Sequence, residues 1–173
     1  LYTSPASIIR FCKKIGFSGF SEFKAQLRME TRQEETARKS QIRSIDFLKD
    51  IHKTTQLIQE DTIEQILELI HTKERIELYA VGSSRMVANE FAKRLQLLKK
   101  TAFCYDDSSL MNISAKQVTE NDLVIALSVS GETSLLIAAA NMAKSKGATI
   151  ISITNLGSNT LSDMADVNVY VQS

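Results

Sequence analysis

The chain has 173 residues, of which 43% are hydrophobic and 24% are charged. This balance is typical of globular proteins, and no apolar run approaches the roughly 18 residues that a membrane helix needs. The chain has no Trp, and only 6% of its residues are aromatic, so we expect a mainly aliphatic core. Since no segment resembles a secretory signal, we expect a cytoplasmic protein without a membrane partner.

The net charge of +1 is unevenly distributed along the chain. Residues 1–43 hold nine Lys/Arg against four Asp/Glu, a net charge of +5. Residues 44–173 hold twelve against sixteen, a net charge of −4. A basic front and an acidic rear suggest that the front contacts a polyanion, although a solvated basic helix face has the same composition.

The cysteines and histidines do not form a metal-binding pattern. Cys12 and Cys104 lie far apart, without CxxC spacing and beside large apolar or aromatic residues, so we expect buried free thiols. The two histidines, His52 and His71, have no neighbours of the metal-ligand type. We therefore expect neither a metal nor another cofactor.

The first predicted element is a helix over residues 5–15. Ser4 is a suitable N-cap, Pro5 suits the first helical position and Gly16 is a favourable C-cap. Four apolar residues share one face of this helix: Ile8, Phe11, Cys12 and Ile15. Polar and basic residues share another face: Ser7, Arg10 and Lys14.

A second helix is predicted to begin between Ser18 and Ser21. Two short helices cannot bury so many aromatic side chains, so we expect further helices before Leu1. Residues 29–41 are polar and helix-favouring, which indicates either an exposed connecting helix or a linker. Helical periodicity returns after residue 45, and residues 61–64 resemble a capped helix start.

Beyond residue 75 the pattern changes to short apolar runs that alternate with helices. Five strands are predicted, over residues 76–81, 102–105, 123–127, 149–153 and 167–171. Two amphipathic helices are predicted, over residues 86–98 and 133–146. Continuous apolar strands alternating with helices indicate a doubly wound parallel sheet covered on both faces. We expect a closing helix beyond Ser173.

Two loops after predicted strands are rich in hydroxyl groups and glycine. The first reads Gly82-Ser83-Ser84, and the second reads Ser128-Val129-Ser130-Gly131-Glu132-Thr133. A phosphate needs several converging donors without steric bulk, and hydroxyls, helix-start N–H groups and glycine meet this need. The alternative is that the Ser and Thr residues are only helix caps. Two such loops in one sheet favour a phosphate site.

These loops, with the segment Ile151-Ser152-Ile153-Thr154-Asn155, resemble the SIS (sugar isomerase) domain, whose most specific motif is the SxSGET stretch. Residues 4–20 resemble the end of the helix-turn-helix domain of RpiR-type regulators, which join the two domains in this order. The resemblance implies the end of a helix-turn-helix domain over residues 1–28, a helical linker over residues 29–73 and a C-terminally incomplete SIS domain over residues 74–173. The implied fold class is α/β: an SIS-type doubly wound parallel five-stranded sheet flanked by helices, preceded by a partial all-α helix-turn-helix segment and a helical linker.

The resemblance also implies site residues. A sugar phosphate would be held by the two loops, through Gly82, Ser83, Ser84, Ser128, Ser130, Gly131 and Thr133. Double-stranded operator DNA would be contacted by the first helix, through Ser4, Ser7, Arg10, Lys13 and Lys14. Val129 departs from SIS enzymes that carry a polar residue between the two serines, which leaves the sugar unspecified.

Our main hypothesis is a DNA-binding regulator of carbohydrate metabolism gated by a phosphorylated sugar, not an enzyme. Such regulators act as homodimers or homotetramers because paired heads match paired half-sites. One alternative is an SIS phosphosugar isomerase, which needs an acid or base near the sugar carbons. Glu132 is the one carboxylate in the two loops, and the resemblance assigns it to the phosphate-loop motif. Another alternative is a sugar-binding module without a DNA role, which the basic front disfavours.

Overall fold

The structure is a computed structural model. It describes the backbone of residues 5–172 and the side chains of residues 8–28 and 47–172. The chain divides into two compact units, residues 1–49 and residues 50–173. Within the described part of the chain, no helix is both long and apolar enough to cross a membrane.

The N-terminal unit begins with helix α1, Pro5–Lys14. Gly16 follows it with a φ of 98°, a conformation that glycine adopts without steric cost. The Gly16 N–H donates to the Lys13 carbonyl (3.2 Å). The Phe17 N–H donates to the Cys12 carbonyl (2.9 Å), which completes a Schellman turn. The predicted C-cap at Gly16 is therefore confirmed.

Helix α2, Phe20–Leu57, follows a short turn. The Glu22 carboxylate in its first turn accepts the N–H (2.6 Å) and the hydroxyl (2.5 Å) of Ser18. The Phe23 ring lies at the centre of a small aromatic cluster. Its centroid lies between 5.4 and 6.5 Å from the centroids of three other rings: Phe11, Phe17 and Phe20. For residues 29–41 the sequence left open a connecting helix or a linker. The backbone is helical throughout this segment, so the connecting helix is correct.

The apolar face predicted for α1 is only partly buried. Cys12 is fully buried and free, as predicted, whereas Cys104 is free but only partly buried, so the prediction of burial is wrong for Cys104. The other residues of this face are 36–56% exposed: Ile8, Phe11 and Ile15. Two helices thus bury Cys12 and leave the other residues of the face partly open to solvent.

Helix α3, Glu60–Thr72, precedes the sheet. The expectation of a capped start at residues 61–64 is wrong, because Gln59 is the N-cap and makes no side-chain cap bond. Glu60 and Asp61 lie in the first turn instead, where carboxylates interact favourably with the helix dipole. The helix packs partly buried apolar side chains against one core: Ile66, Leu69 and Ile70.

Five parallel strands form one sheet. They are β1 Arg75–Ala80, β2 Thr101–Tyr105, β3 Asp122–Leu127, β4 Thr149–Asn155 and β5 Val167–Val171. The strand order is β2-β1-β3-β4-β5, and all four neighbouring pairs are parallel. The predicted five-stranded parallel sheet is confirmed, and the chain crosses from one side of β1 to the other between β2 and β3.

Helices cover both faces of the sheet. Helix α4, Ser84–Leu97, packs on the same face as α3. Three helices pack on the opposite face: α5 Ser108–Ala115, α6 Ser134–Ser145 and α7 Thr160–Met164. Helices α4 and α6 were predicted, whereas the shorter α5 and α7 were not. Because both faces are covered, the central strands read as nearly continuous apolar runs.

One buried acidic side chain interrupts this apolar core. Glu77 in β1 is fully buried on the face that carries α5. Its carboxylate accepts the Tyr79 hydroxyl (2.7 Å) and the Ser114 hydroxyl (2.7 Å), and it lies 3.4 Å from the Arg75 guanidinium. Burial, together with the neighbouring carboxylate, raises the pKa of Tyr79. These contacts satisfy a charge that would otherwise be costly inside a sheet.

Candidate functional site

The two hydroxyl-rich loops leave adjacent strands at the same edge of the sheet. Ala80, at the end of β1, is paired with Leu127, at the end of β3. These two strands are also the point at which the strand order reverses. In open α/β sheets, ligands bind in the crevice at the carboxyl ends of the strands beside this switch point. The sheet therefore brings the loops together where a ligand site is expected.

The first loop, Gly82 to Ser84, leads directly into α4. Gly82 has a φ of 62° and open space around it. Ser83 is exposed, and Ser84 is the first residue of the helix rather than part of the loop. Neither hydroxyl makes a hydrogen bond to the residues that the structure describes. Two hydroxyls at a helix start are thus available to an external acceptor.

The second loop, residues 128–133, is held together by its own side chains. The hydroxyls of Ser128 and Thr133 lie 3.0 Å apart, and the Gly131 N–H donates to Ser128 Oγ (3.2 Å). Ser128 is buried, so its hydroxyl shapes the loop from inside. Ser130 is exposed, and its Oγ accepts the Glu132 N–H (3.2 Å) while its own O–H remains free to donate.

The hydroxyls do not behave as ordinary helix caps. Ser83 and Thr133 occupy the N-cap positions of α4 and α6, yet neither side chain makes a cap hydrogen bond. The contrast is Asp107, whose carboxylate accepts two N–H groups at the start of α5. Side-chain capping therefore does not account for the hydroxyls at these two positions. At the start of α4 the Arg85 and Met86 N–H groups donate to the Gly82 (3.4 Å) and Ser83 (3.3 Å) carbonyls, whereas in α6 the described backbone bonds begin at Ile137, so the N–H groups of residues 134–136 are open.

Glu132 fastens the second loop to α7. Its carboxylate accepts the Thr160 N–H (2.7 Å) and the Thr160 hydroxyl (2.7 Å). These two bonds hold the pKa of Glu132 below its ordinary value. The Gly131 carbonyl also accepts the Leu161 N–H (3.0 Å). Glu132 therefore positions the loop, because its carboxylate accepts both hydrogen bonds from the first residue of α7.

Gly131 is required by the close approach of Asn159. Its φ is 66°, and a Cβ at this position would lie 1.9 Å from Asn159 Oδ1. That oxygen accepts the Ser162 N–H (2.9 Å) as part of the cap of α7. The Asn159 amide also donates to Thr154 Oγ1 (3.2 Å) at the end of β4. The loop, β4 and α7 therefore meet around one asparagine.

A series of hydrogen bonds from backbone N–H groups connects the second loop to helix α2. The Asn155 N–H, at the end of β4, donates to the Val129 carbonyl (2.9 Å). The next N–H, of Leu156, donates to the Val171 carbonyl (3.0 Å) at the end of β5. The N–H that follows Val171 donates to Thr54 Oγ1 of α2 (2.9 Å). The strand ends thus form a chain of contacts between the loop and α2.

Three residues of this arrangement were missed by the sequence analysis: Asn159, Thr160 and Thr54. Asn159 carried a usable signal, because Asn followed three residues later by Ser162 is a cap pattern. The Thr160 contact joins residues 28 positions apart, and the contact of Thr54 with Gln172 joins residues 118 apart. No local pattern predicts contacts over such separations.

The predicted DNA-contacting residues all lie at or before the end of α1. Arg10, Lys13 and Lys14 are exposed on this helix. Ser4 lies outside the described residues, and the side chain of Ser7 is likewise not described. Basic groups with free access to solvent are what contacts to a phosphate backbone require.

The chain matches two family profiles, the SIS domain over residues 68–173 and the rpiR-family helix-turn-helix domain over residues 1–34. It is 32% identical over 171 residues to the HTH-type transcriptional regulator GlvR of Bacillus subtilis, covering 98% of this chain and 66% of GlvR. The chain spans about two thirds of the length of the curated relatives it matches.

Two solved structures extend the comparison. The Vibrio vulnificus NanR protein, complexed with ManNAc-6P, is 29% identical, with a TM-score of 0.75 over 99% of this chain and 64% of that one. The sugar isomerase domain of the RpiR transcription factor from Sphaerobacter thermophilus is 20% identical, with a TM-score of 0.71 over 75% of this chain and 73% of that one, and shows the shared fold. With both family profiles matched, the chain belongs to the RpiR family of helix-turn-helix proteins that carry an SIS domain.

Proposed function

We propose that the protein is a DNA-binding transcriptional regulator of carbohydrate metabolism whose response is set by a phosphorylated sugar. The observation that carries this proposal is the pair of hydroxyl-rich loops at the switch point of the sheet. In this proposal residues 1–28 belong to the DNA-binding domain, residues 29–73 form the helical linker and residues 74–173 form the sugar-phosphate domain.

The phosphate would lie between the starts of α4 and α6. Ser83, Ser84 and Ser130 have hydroxyl protons free to donate, the start of α6 adds open N–H groups, and both helix starts add a favourable dipole. Ser128 and Thr133 would contribute by keeping the second loop in its conformation, through the hydrogen bond between their hydroxyls. The ManNAc-6P bound to NanR supports a phosphorylated sugar as the ligand class.

The basic residues of α1 would contact operator DNA. Arg10, Lys13 and Lys14 are exposed, as groove and phosphate contacts require. Two such heads are needed to match paired half-sites, so we propose a homodimer or homotetramer. The regulators named among the relatives, such as GlvR, support this part of the proposal.

A regulator fits the site better than an isomerase does. Isomerisation needs an acid or base free to reach the sugar carbons. The Glu132 carboxylate already accepts two hydrogen bonds from Thr160. The histidines lie elsewhere, His52 in α2 and His71 in α3. We therefore propose binding without turnover.

Thermal unfolding against a panel of sugar phosphates tests this function. We expect one sugar phosphate to raise the melting temperature while its unphosphorylated parent does not. At a concentration of about 100 times Kd, the ligand should add roughly 2.7 kcal/mol of stability. In Ser130→Ala the loss of one donor to a charged phosphate should weaken affinity by about 1.5–3 kcal/mol, or roughly tenfold to a hundredfold. Ser145→Ala, at the other end of α6, is the matched control and should bind as the wild type does.

Two outcomes would contradict the proposal. Equal shifts from the phosphorylated and unphosphorylated sugars would exclude a site centred on phosphate. New product resonances in an NMR time course of the sugar phosphate, above the background rate, would favour the isomerase instead.

A further inference from the structure

The strands on either side of the candidate site end in residues of opposite character. The site lies at the ends of β1 and β3, so the ends of β2 and β4 flank it. On the β4 side, Val129 and Leu156 are 50% and 55% exposed, and the Asn155 N–H donates to the Val129 carbonyl (2.9 Å). On the other side, β2 is followed by Asp106, which is exposed. The β4 flank is therefore apolar, whereas the β2 flank is acidic.

Asp106 lies close to the first hydroxyl-rich loop. Tyr79 in β1 is paired with Tyr105 in β2, so Asp106 follows beside the end of β1. Helix α4, which begins in that loop, packs against both β1 and β2. Cys104, two positions before Asp106, packs against the core that includes α4, as expected from the alternation of a strand. Burial, together with the nearby charge of Asp106, raises the pKa of the Cys104 thiol to about 11.

The Asp106 carboxylate has no hydrogen-bond or ion-pair partner among the residues that the structure describes. Its neighbour Asp107 is used differently, because it caps α5 and accepts two N–H groups of that helix (2.9 and 3.1 Å). Arg85, in the first turn of α4, donates through Nε to the Gly82 carbonyl (3.0 Å) rather than to Asp106. A carboxylate that can only accept hydrogen bonds is therefore open at the edge of the site.

We propose that the Asp106 carboxylate binds hydroxyl groups of the sugar, so that the sugar extends from its phosphate across the ends of β1 and β2. Sugar hydroxyls are hydrogen-bond donors, and placing them against the apolar β4 flank would leave them unpaired. A hydrogen bond to a charged carboxylate is also stronger than one between neutral groups. The inference rests on the proposed function and narrows the ligand class of the same site.

Asp106 would select the ligand by charge as well as by hydrogen bonding. Its carboxylate repels a second anionic group on the sugar, and a like charge is an effective means of rejecting a competing ligand. The ligand class is therefore the monophosphate of a neutral or amino sugar, and phosphorylated sugar acids are disfavoured. Ser83, Ser84 and Ser130, which would bind the phosphate, do not make this distinction.

Binding of defined probes to the complete natural protein tests this role. The probes are the terminal-carbon phosphates of glucose, glucosamine and N-acetylmannosamine, with phosphogluconate and inorganic phosphate for comparison. We expect the wild type to bind at least one of the three monophosphates about tenfold more tightly than phosphogluconate. In Asp106→Asn the affinity for that monophosphate should fall about tenfold, while the affinity for inorganic phosphate stays within about twofold. The preference over phosphogluconate should be lost with it.

Glu120→Gln is the matched control, because it neutralises an exposed carboxylate before β3, at the opposite edge of the sheet. This variant should bind every probe as the wild type does. Unchanged monophosphate affinity in Asp106→Asn, or wild-type binding of phosphogluconate as tight as that of the monophosphates, would overturn the role of Asp106. Equal losses of monophosphate and inorganic phosphate in Asp106→Asn would also overturn it, since the residue would then act on the phosphate loops.

Failure of the proposed function has a different signature, because it is read from the wild type alone. A wild type that binds none of the probes, inorganic phosphate included, would contradict the phosphate site itself. Wild-type binding of inorganic phosphate without any of the three monophosphates would overturn the assigned ligand class and leave the phosphate site intact.

Discussion

At the scale of single residues, two glycines with similar backbone angles have different roles. Gly82 has a φ of 62° in open space, whereas Gly131 has a φ of 66° with Asn159 against it. Gly82 allows a turn, and Gly131 allows a close approach of two segments as well. Only the second role couples the loop of residues 128–133 to the cap of α7.

Alanine at these two positions should therefore have unequal effects. Gly82→Ala should cost about 1–2 kcal/mol, the strain of a left-handed backbone with a Cβ. Gly131→Ala adds displacement of Asn159 and loss of its cap, so we expect about 2–4 kcal/mol in the free energy of unfolding. Urea denaturation measures both values. Equal costs would show that Asn159 moves aside freely and that the loop does not depend on it.

At the scale of elements, hydrogen bonds at the strand ends connect the second loop, residues 128–133, to α2. The loop contacts the end of β4, which contacts the end of β5, and the Gln172 N–H then donates to Thr54 in α2. Helix α2 extends from residue 57 back to residue 20. A ligand that biases the loop could act on this helix through the strand ends, provided that each state of the loop favours different contacts.

Removing the Thr54 hydroxyl should weaken this coupling. Thr54→Val leaves the Gln172 N–H without its acceptor, a net loss of about 0.5–1.5 kcal/mol, so the effect of sugar phosphate on operator affinity should fall roughly twofold to tenfold. Ligand affinity and ligand-free operator affinity should each stay near the wild-type value. Thr55→Val is the matched control, because the Thr55 hydroxyl donates to the His52 carbonyl within α2. A full ligand response in Thr54→Val would exclude this route.

At the scale of the whole molecule, the two units have different electrostatic character. The basic front carries the exposed cations of α1, and the acidic rear carries the two hydroxyl-rich loops. If the first unit binds DNA as proposed, its net positive charge attracts the polyanion, whereas the net negative charge of the second unit repels it. Small anionic ligands are instead recognised by hydroxyls and helix starts, which need no net positive charge.

Operator binding by the complete natural protein tests this division. Arg10→Ala should weaken operator affinity by roughly 1–3 kcal/mol, and loss of a phosphate contact should reduce the salt dependence by about one ion. Arg28→Ala, an exposed arginine on α2, removes the same charge from the same unit and should have a smaller effect. Electrophoretic mobility shifts at several salt concentrations measure both. Equal losses in the two variants would mean that only net charge matters.

Several features of the molecule followed from local sequence alone. The five strands, the helices α4 and α6, the Gly16 turn and both hydroxyl-rich loops were all predicted, because periodicity, glycine and helix-start residues act over a few positions. The SxSGET stretch at Ser128–Thr133 also indicated the SIS resemblance from its own residues. Helix α7 was missed because a five-residue helix has too little periodicity to be recognised.

Tertiary structure decided what depends on neighbours distant in the chain. The alternation of Ile76, Glu77 and Leu78 gave no indication that Glu77 is fully buried, since its partner Ser114 lies 37 residues away. The contact of Glu132 with α7 likewise depends on Thr160, which lies 28 residues further along the chain. Residue types and local spacing determined which elements form and which loops carry donors. The order of the strands decided which loops meet, because only packing brings remote groups within hydrogen-bond distance.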